Sequence, residues 1–319
     1  MPFSNSTVHT LAYVHDLSPF LVQFTENFGI RWYGLAYAAA FVCGYFLYHW
    51  LSRKGYADMP QNQVGDFILF WVVLGTILGG RIGYMLFYDW DAFIQNPLRI
   101  FFVWEGGMSA HGGMIGLIAA TWIYAWKYHL SWRNVGDNLV VTAPIGLFFG
   151  RCANFINGEL YGRATNVSWA MQFPKEIYEV AEVRYRVLTD VQAVFHEPVS
   201  AEQAIQLVGS ESKVHDIMAQ YLTLRHPSQI YEAFGQGILL FVLLFFLRTR
   251  CRLPNGVLTG LFFIFYALIR IVTELFREPD APLVASLSRG QFLSLFLILI
   301  GLAFVASAYL RPSYPKAKG

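Results

Sequence analysis

VVTAPIGLFF, residues 140–149, holds no charge and reads as a segment immersed in lipid, yet it runs directly into GRCANFINGE, residues 150–159. A charge at mid-membrane costs at least about 2.5–3.5 kcal/mol on insertion scales, so Arg151 and its polar neighbours demand a partner, a water-filled cavity or a function. Arg151 and Asn154 are three residues apart and share a helical face, and Asn157-Gly158 supplies the left-handed residue on which helices often end. The stretch predicts a membrane span whose outer end is built around polar groups, with Glu159 opening the outer segment.

The whole chain agrees with that reading. Its 319 residues are 55% hydrophobic and 14% charged, with a mean hydropathy of +0.42, whereas a soluble domain carries about 25% charged residues. The net charge of +2 is too small and too dispersed for a nucleic-acid partner. Cys43, Cys152 and Cys251 lack C-x-x-C spacing, which implies neither a disulfide framework nor a cysteine metal site. No His/Asp/Glu cluster with ligand spacing calls for a metal, and no cofactor is implied.

A bilayer core takes about 20 mainly apolar residues per helix. Seven stretches qualify: 32–52, 67–88, 106–126, 138–158, 227–247, 253–274 and 290–310. An odd number puts the termini on opposite sides. One set of short loops holds ten Lys and Arg (Arg53, Lys54, Lys127, Arg133, Arg248, Arg250, Arg252, Arg311, Lys316, Lys318), the other four (Arg31, Arg99, Arg277, Arg289). Positive loops stay cytoplasmic, so the C-terminus is expected inside and the N-terminus outside. The first 30 residues lack a basic region leading directly into an apolar core, so no cleaved signal peptide is expected.

The predicted architecture is an all-α polytopic membrane protein with seven transmembrane helices and a small outward-facing head. It divides into spans 1–4 with an N-terminal arm (1–158), the head (159–226), and spans 5–7 with a C-terminal tail (227–319). The head region carries nine acidic and six basic residues, the soluble-type part of the chain. Within it 169–174 suggests a short strand and 200–221 a helix starting at Ser200. The connection 89–105 suggests an interfacial segment turning at Pro97, with Trp90 and Trp104 in an aromatic belt. No repeat of fixed period is present, which argues weakly against an inverted-repeat transporter.

Polar groups recur near the outer ends of the spans. Tyr266, Arg270, Glu274 and Arg277, spaced four, four and three apart, stack on one face of the sixth. Four glycines surround His111 in GGMSAHGG (106–113), and Arg31-Trp-Tyr33 opens the first span. Arg270 with Glu274 also suits a plain intrahelical ion pair, Arg81 can snorkel or pair with Asp89, His111 can be structural, and Tyr33 can be an interfacial anchor. Arg151 and Arg270 together are harder to dismiss, because the spans hold too few acids to neutralise every arginine. An anionic ligand would supply the missing charge, and the guanidinium fork suits a lipid phosphate. An enzyme and a lipid or anion transporter would both use such a site.

The blocks RWYGL (31–35), LGGRIGYMLFY (78–88), GGMSAHGG (106–113), GRCANFINGELYGR (150–163), RHPSQIYE (225–232) and the run 266–280 occur in the order found in prolipoprotein diacylglyceryl transferases, which the chain closely resembles. Six ordered blocks over nearly the whole chain outside the head are far more specific than one short motif. Cys152-Ala153 departs from the apolar residue and glycine that many members carry, and 175–224 matches no head sequence of the family.

The resemblance implies a bacterial inner-membrane enzyme with a periplasmic head. Its partners would be phosphatidylglycerol, the preprolipoprotein signal peptide with its lipobox cysteine, and the surrounding membrane lipids. It implies transfer of the diacylglyceryl group to the cysteine thiol with release of glycerol phosphate, the first step of lipoprotein maturation. Carried onto this chain, Arg151 and Arg270 are expected to be catalytic, with His111 as thiol base or lipid-orienting group. Tyr33, Arg81, Asn154, Glu159, Gly162, His226, Tyr266 and Glu274 are expected to bind substrate.

Overall fold

The computed structural model describes residues 12–24, 29–102, 106–278 and 287–315. Short strands β1 (Tyr13–Val14), β2 (Phe20–Gln23) and β3 (Gly29–Arg31) precede the first long helix, α1 (Trp32–Arg53). Then come α2 (Gln61–Phe87) and α3 (Trp90–Gln95), α4 (Ala110–Lys127), α5 (Trp132–Ile156) and strand β4 (Met171–Gln172). Four short helices come next, α6 (Glu176–Glu179), α7 (Ala181–Phe195), α8 (Ala201–Leu207) and α9 (Ser212–Tyr221). The last are α10 (Ser228–Arg250), α11 (Val257–Thr273) and α12 (Arg289–Leu310).

This is a helical membrane protein. Five of these helices, α1, α2, α5, α10 and α12, are long and apolar enough to cross a bilayer, and α11 is a shorter apolar helix. Each predicted span coincides with a helix, though the helix at 138–158 begins six residues earlier, at Trp132, and the one at 106–126 begins at Ala110. The late start at Ala110 has a local cause: Ser109 caps the helix, its side chain accepting from the Gly112 N–H. Two of the predicted spans, at α4 and α11, fall outside the five.

The all-α expectation needs amending, because β1 pairs with β4 in parallel and β2 with β3 antiparallel. The single helix expected over 200–221 is two helices. Ser200 caps the first in a reciprocal box with Gln203, and the chain turns after Val208 so that Ala204, Val208, Val214 and Met218 all enter one core. The 89–105 connection turns at Pro97 into a 3-10 turn, Pro97–Phe101, opened by the Asn96 side chain accepting from the Leu98 N–H. Trp104 and Glu105 lie outside the described residues, as do Asp280 at the end of the last quoted block and Lys316 and Lys318 of the tail.

The chain forms two compact units. In the unit formed by 41–143, 241–264 and 299–319, α2 and α4 approach so closely that only glycine fits. A Cβ on Gly116 would stand 2.1 Å from the Gly75 carbonyl oxygen, and one on Gly79 would stand 2.4 Å from that of Gly112. Small residues every fourth position on both helices are what allow membrane helices to pack backbone to backbone. The aromatic core of this unit gathers Tyr48, Phe67 and Tyr124.

In the other unit, 1–40, 144–240 and 265–298, one core takes Ile177, Val187, Val191 and Met218 together with Val14 of β1. Two glycines of α10 bring it against its neighbours: a Cβ on Gly235 would meet Ile269 of α11 at 2.7 Å, and one on Gly237 would meet Phe148 of α5 at 2.7 Å. The same stretch, Ala233–Leu239, is π-helical, a widened turn that often marks functional positions. It begins one residue after Glu232.

Candidate active site: three arginines on one buried carboxylate

Glu232 is completely buried, and the guanidiniums of three arginines converge on it. Arg151 Nη1 lies 3.0 Å from Oε2, Arg270 contacts Oε1, and Arg277 Nη1 stands 3.5 Å from Oε1. Arg270 also pairs with Glu274 one turn along, at 2.8 Å, so the intrahelical pair weighed from sequence exists but is one edge of a larger cluster. Three guanidiniums share two carboxylates, which leaves the five groups with a net charge of +1. A buried carboxylate is tolerable only when paired in this way.

Polar side chains extend the cluster in both directions. Arg151 donates to Asn154 Oδ1 at 3.4 Å and to Gln236 Oε1 at 3.5 Å, and Gln236 donates to Thr273 Oγ1 at 3.5 Å. Asn154 donates to the Tyr33 hydroxyl and to Glu159 Oε1, the latter at 3.0 Å, while Tyr33 donates to the same Oε1 at 2.6 Å. The end of α5 makes this possible. Gly158 has φ +63°, the Glu159 N–H bonds the Asn154 carbonyl at 3.1 Å and the Gly158 N–H that of Phe155 at 2.8 Å. That is a Schellman ending, and it folds Glu159 back over the last turn onto Asn154.

Six of the expected site residues therefore belong to one connected set: Tyr33, Arg151, Asn154, Glu159, Arg270 and Glu274. Tyr266 sits one turn before Arg270 on α11. Gly162 is where segments cross. Its N–H bonds the His226 carbonyl at 2.9 Å, and a Cβ there would lie 2.4 Å from the Phe276 carbonyl oxygen, so it acts by allowing close approach of backbones. The Arg163 N–H bonds Phe276 O at 2.9 Å, and Arg163 Nε bonds the Arg277 carbonyl at 2.9 Å. Together these fix the backbone from which Arg277 reaches Glu232.

His226 stands apart from the arginines, its Nδ1 3.2 Å from the Tyr231 hydroxyl and its ring edge-on to Phe276. Partial burial pushes its pKa down, favouring the neutral ring. It lines an apolar cavity of about 600 Å³ with Trp169, Phe234, Leu268 and Val272, and Thr273 joins that wall to the Gln236 bridge.

Arg81 and His111 belong to the second unit. Arg81 is buried and donates to the carbonyls of Gly106, Gly107 (3.1 Å) and Arg99 (2.8 Å). Among the described residues it thus holds the backbone of the connection leading to α4, while Asp89 stands 3.8 Å from Arg99. His111 is exposed on the first turn of α4.

Glu232 is the residue that sequence reasoning misses, since by itself it reads as no more than an early charge in the fifth span. A signal is present, an acid on a span with Gln236 one turn further on the same face. Arg277 is visible in the stripe of the sixth span, but nothing in the spacing makes it part of the site.

Fold and site together define a helical membrane protein with a buried cationic cluster at its helix ends, held by carboxylates and beside an apolar cavity. The chain belongs to the prolipoprotein diacylglyceryl transferase family, whose sequence profile matches residues 19–307. It is 43% identical over 293 residues to the phosphatidylglycerol–prolipoprotein diacylglyceryl transferase of Azospirillum brasilense, covering 89% of this chain and 92% of that one. It is 41% identical over 299 residues to the enzyme of that name from Idiomarina loihiensis (92% and 93%). The corresponding figures for the Bdellovibrio bacteriovorus enzyme are 38% over 325 residues (91% and 92%).

Proposed function

We infer that this chain transfers the diacylglyceryl group of phosphatidylglycerol to prolipoprotein, as its family membership and the names of its relatives indicate. The observation that carries the reading to particular residues is the arginine cluster. A phosphodiester headgroup brings one negative charge to these three guanidiniums and two carboxylates. Arg151 and Arg270 bind the phosphate and stabilise the charge that grows on it as the carbon–oxygen bond breaks, an effect strongest in a low-dielectric site.

The nucleophile is the thiolate of the prolipoprotein's lipobox cysteine, and the products are a thioether and glycerol phosphate. His111 serves as the thiol's base or orients the lipid. Glu274 holds Arg270, while Asn154, Glu159, Tyr33 and Tyr266 orient ester and headgroup oxygens. Gly162 and Arg81 support the segments that carry these groups, and His226 lies toward the apolar chains. In this reading seven helices span the bacterial inner membrane, the N-terminus and head are periplasmic, and the positive loops and C-terminus are cytoplasmic.

The test is transfer of radiolabelled glycerol from phosphatidylglycerol to a lipobox-cysteine peptide by the purified protein. Label should reach the peptide and fall at least about 100-fold with folded Arg151→Ala or Arg270→Ala, the loss of a preorganised charge donor. Arg270→Lys should also lose activity, since an ammonium cannot reproduce the fork. Unmodified lipid bound or moved without label on the peptide would favour a transporter.

A further inference from the structure

Three hydrogen-bonded rings stand at the edge of the apolar groove between α10 and α11. Trp169 Nε1 donates to the Tyr231 hydroxyl at 2.6 Å, and that hydroxyl stands 3.2 Å from His226 Nδ1. An indole nitrogen can only donate, so the hydroxyl accepts from Trp169 and turns its own hydrogen to His226 Nδ1. In a neutral imidazole the bond made at one nitrogen decides which of the two carries the proton. With Nδ1 accepting, the proton sits on Nε2, and partial burial keeps the ring neutral by pushing its pKa down.

Backbone and neighbours fix this ring. The His226 N–H bonds the Arg163 carbonyl at 3.0 Å, and its carbonyl accepts from the N–H groups of Gly162 at 2.9 Å and Ser228 at 2.8 Å. A Cβ on Gly162 would stand 2.7 Å from His226 Cβ, so only glycine lets the histidine sit where it does. Among the described residues the ring's hydrogen bond is the one at Nδ1, and the ring lines the groove. Phe234, Leu268 and Val272 line it too and are exposed on the flanks of apolar helices. A groove on that surface fills with hydrocarbon, so its occupant is an acyl chain. Thr273 of the same wall reaches Gln236, which reaches Arg151.

We propose that His226, Tyr231 and Trp169 form a subsite that reads an acyl ester of the lipid. His226 donates its Nε2–H to an ester carbonyl of the lipid whose chain lies in the groove, and Tyr231 and Trp169 are positioning residues that hold the ring in the donating tautomer. The proposal rests on the reading that a phosphatidylglycerol gives its phosphate to Arg151 and Arg270. In that lipid the ester carbonyls join the phosphate end to the hydrocarbon, and one placed donor in an otherwise apolar site is what fixes a ligand's orientation. Transfer breaks the bond between the glyceryl carbon and a phosphate oxygen and leaves the esters whole, so this contact acts through binding.

Transfer kinetics with dipalmitoyl phosphatidylglycerol and with its dihexadecyl ether, which keeps the bond that breaks but has no carbonyl, test this. The wild type should favour the ester about two- to tenfold, through KM, the worth of one hydrogen bond. The preference should vanish in His226→Leu, return in His226→Gln, whose amide donates from the same place, and shrink in Tyr231→Phe. Nitrogen NMR of labelled histidine, with the His226 signals identified by their loss in His226→Gln, should show a bare Nδ1 and a protonated Nε2, and mixed tautomers in Tyr231→Phe. Leu268→Trp, which fills the groove, should raise the KM of the long-chain ester more than that of a dihexanoyl one. Equal use of ester and ether by the wild type, a preference that survives His226→Leu, a protonated Nδ1, a tautomer indifferent to Tyr231→Phe, or equal KM effects of Leu268→Trp would each overturn the proposal. Should His226→Leu not fold, the tautomer and the preference of Tyr231→Phe decide. No transfer from either lipid by the wild type would instead overturn the reading beneath it.

Discussion

His15 shows how one side chain writes a pH dependence into the fold. Its ring is buried, stacked on Phe173 at 5.6 Å and edge-on to Phe155 at 5.5 Å, against Gly158 at the end of α5. Burial pushes its pKa below the ordinary 6.5, outweighing the pull of Asp16 upward. The unfolded chain then binds a proton near pH 6.5 that the folded one refuses, so stability is full above that pH and declines as pH falls below it. Thermal unfolding in detergent between pH 8 and 5 should show this decline, and His15→Phe should flatten it. A slope unchanged by the substitution would assign the dependence to other groups. Glu232 is the opposite kind of residue: its partners come from α5, α11 and the turn beyond, and no spacing in the sequence joins 151, 232 and 277. The arginines were legible because a charge in an apolar run announces itself. The acid that organises them was not, because the distances that matter are spatial.

Among the elements, α2 and α4 were legible as apolar segments, but what holds them together was not. Glycines in an apolar run are ordinary, and only the structure shows Gly75, Gly79 and Gly83 meeting Gly112 and Gly116 backbone to backbone. Gly116→Val should force the helices apart, costing about 1–3 kcal/mol or more by overpacking and disturbing the loop whose carbonyls Arg81 holds. Thermal unfolding should fall clearly for this variant. Gly150→Ala in α5 is the matched control, since a Cβ there meets nothing within 4 Å and alanine is the better helix former. Equal stability of the two would refute the close-packing account. The two helices in place of one over 200–221 illustrate the same limit, because the burial of Ala204, Val208, Val214 and Met218 in one core is a tertiary matter.

At the scale of the molecule, the unit carrying the arginine cluster is tied together by Arg225 as much as by its apolar core. The guanidinium pairs with buried Glu176 at 2.7 Å and with Glu278 at 3.2 Å, donates to the Gly162 carbonyl at 3.3 Å, and lies over Tyr161. Its backbone exchanges hydrogen bonds with Met171. Arg225→Met would strand Glu176 without its partner, at a cost of about 3–5 kcal/mol. Limited proteolysis should then cut the head at detergent concentrations that leave the wild type whole, and a variant as resistant as the wild type would show the latch to be dispensable. Composition marks 159–226 as the polar stretch but could not reveal this lock, whose hydrogen-bonded partners lie 49 to 63 residues from Arg225 along the chain.

The ending of α5 has a consequence for anyone who wishes to re-engineer this chain. The residue after the left-handed Gly158 is already a member of the cluster, so α5 and the polar stretch that follows it are joined there without a spacer. A reporter inserted between Gly158 and Glu159 would separate the glutamate from Asn154 and Tyr33, whereas the exposed turn at Ser210 and Glu211, between α8 and α9, offers a place where added chain disturbs none of them.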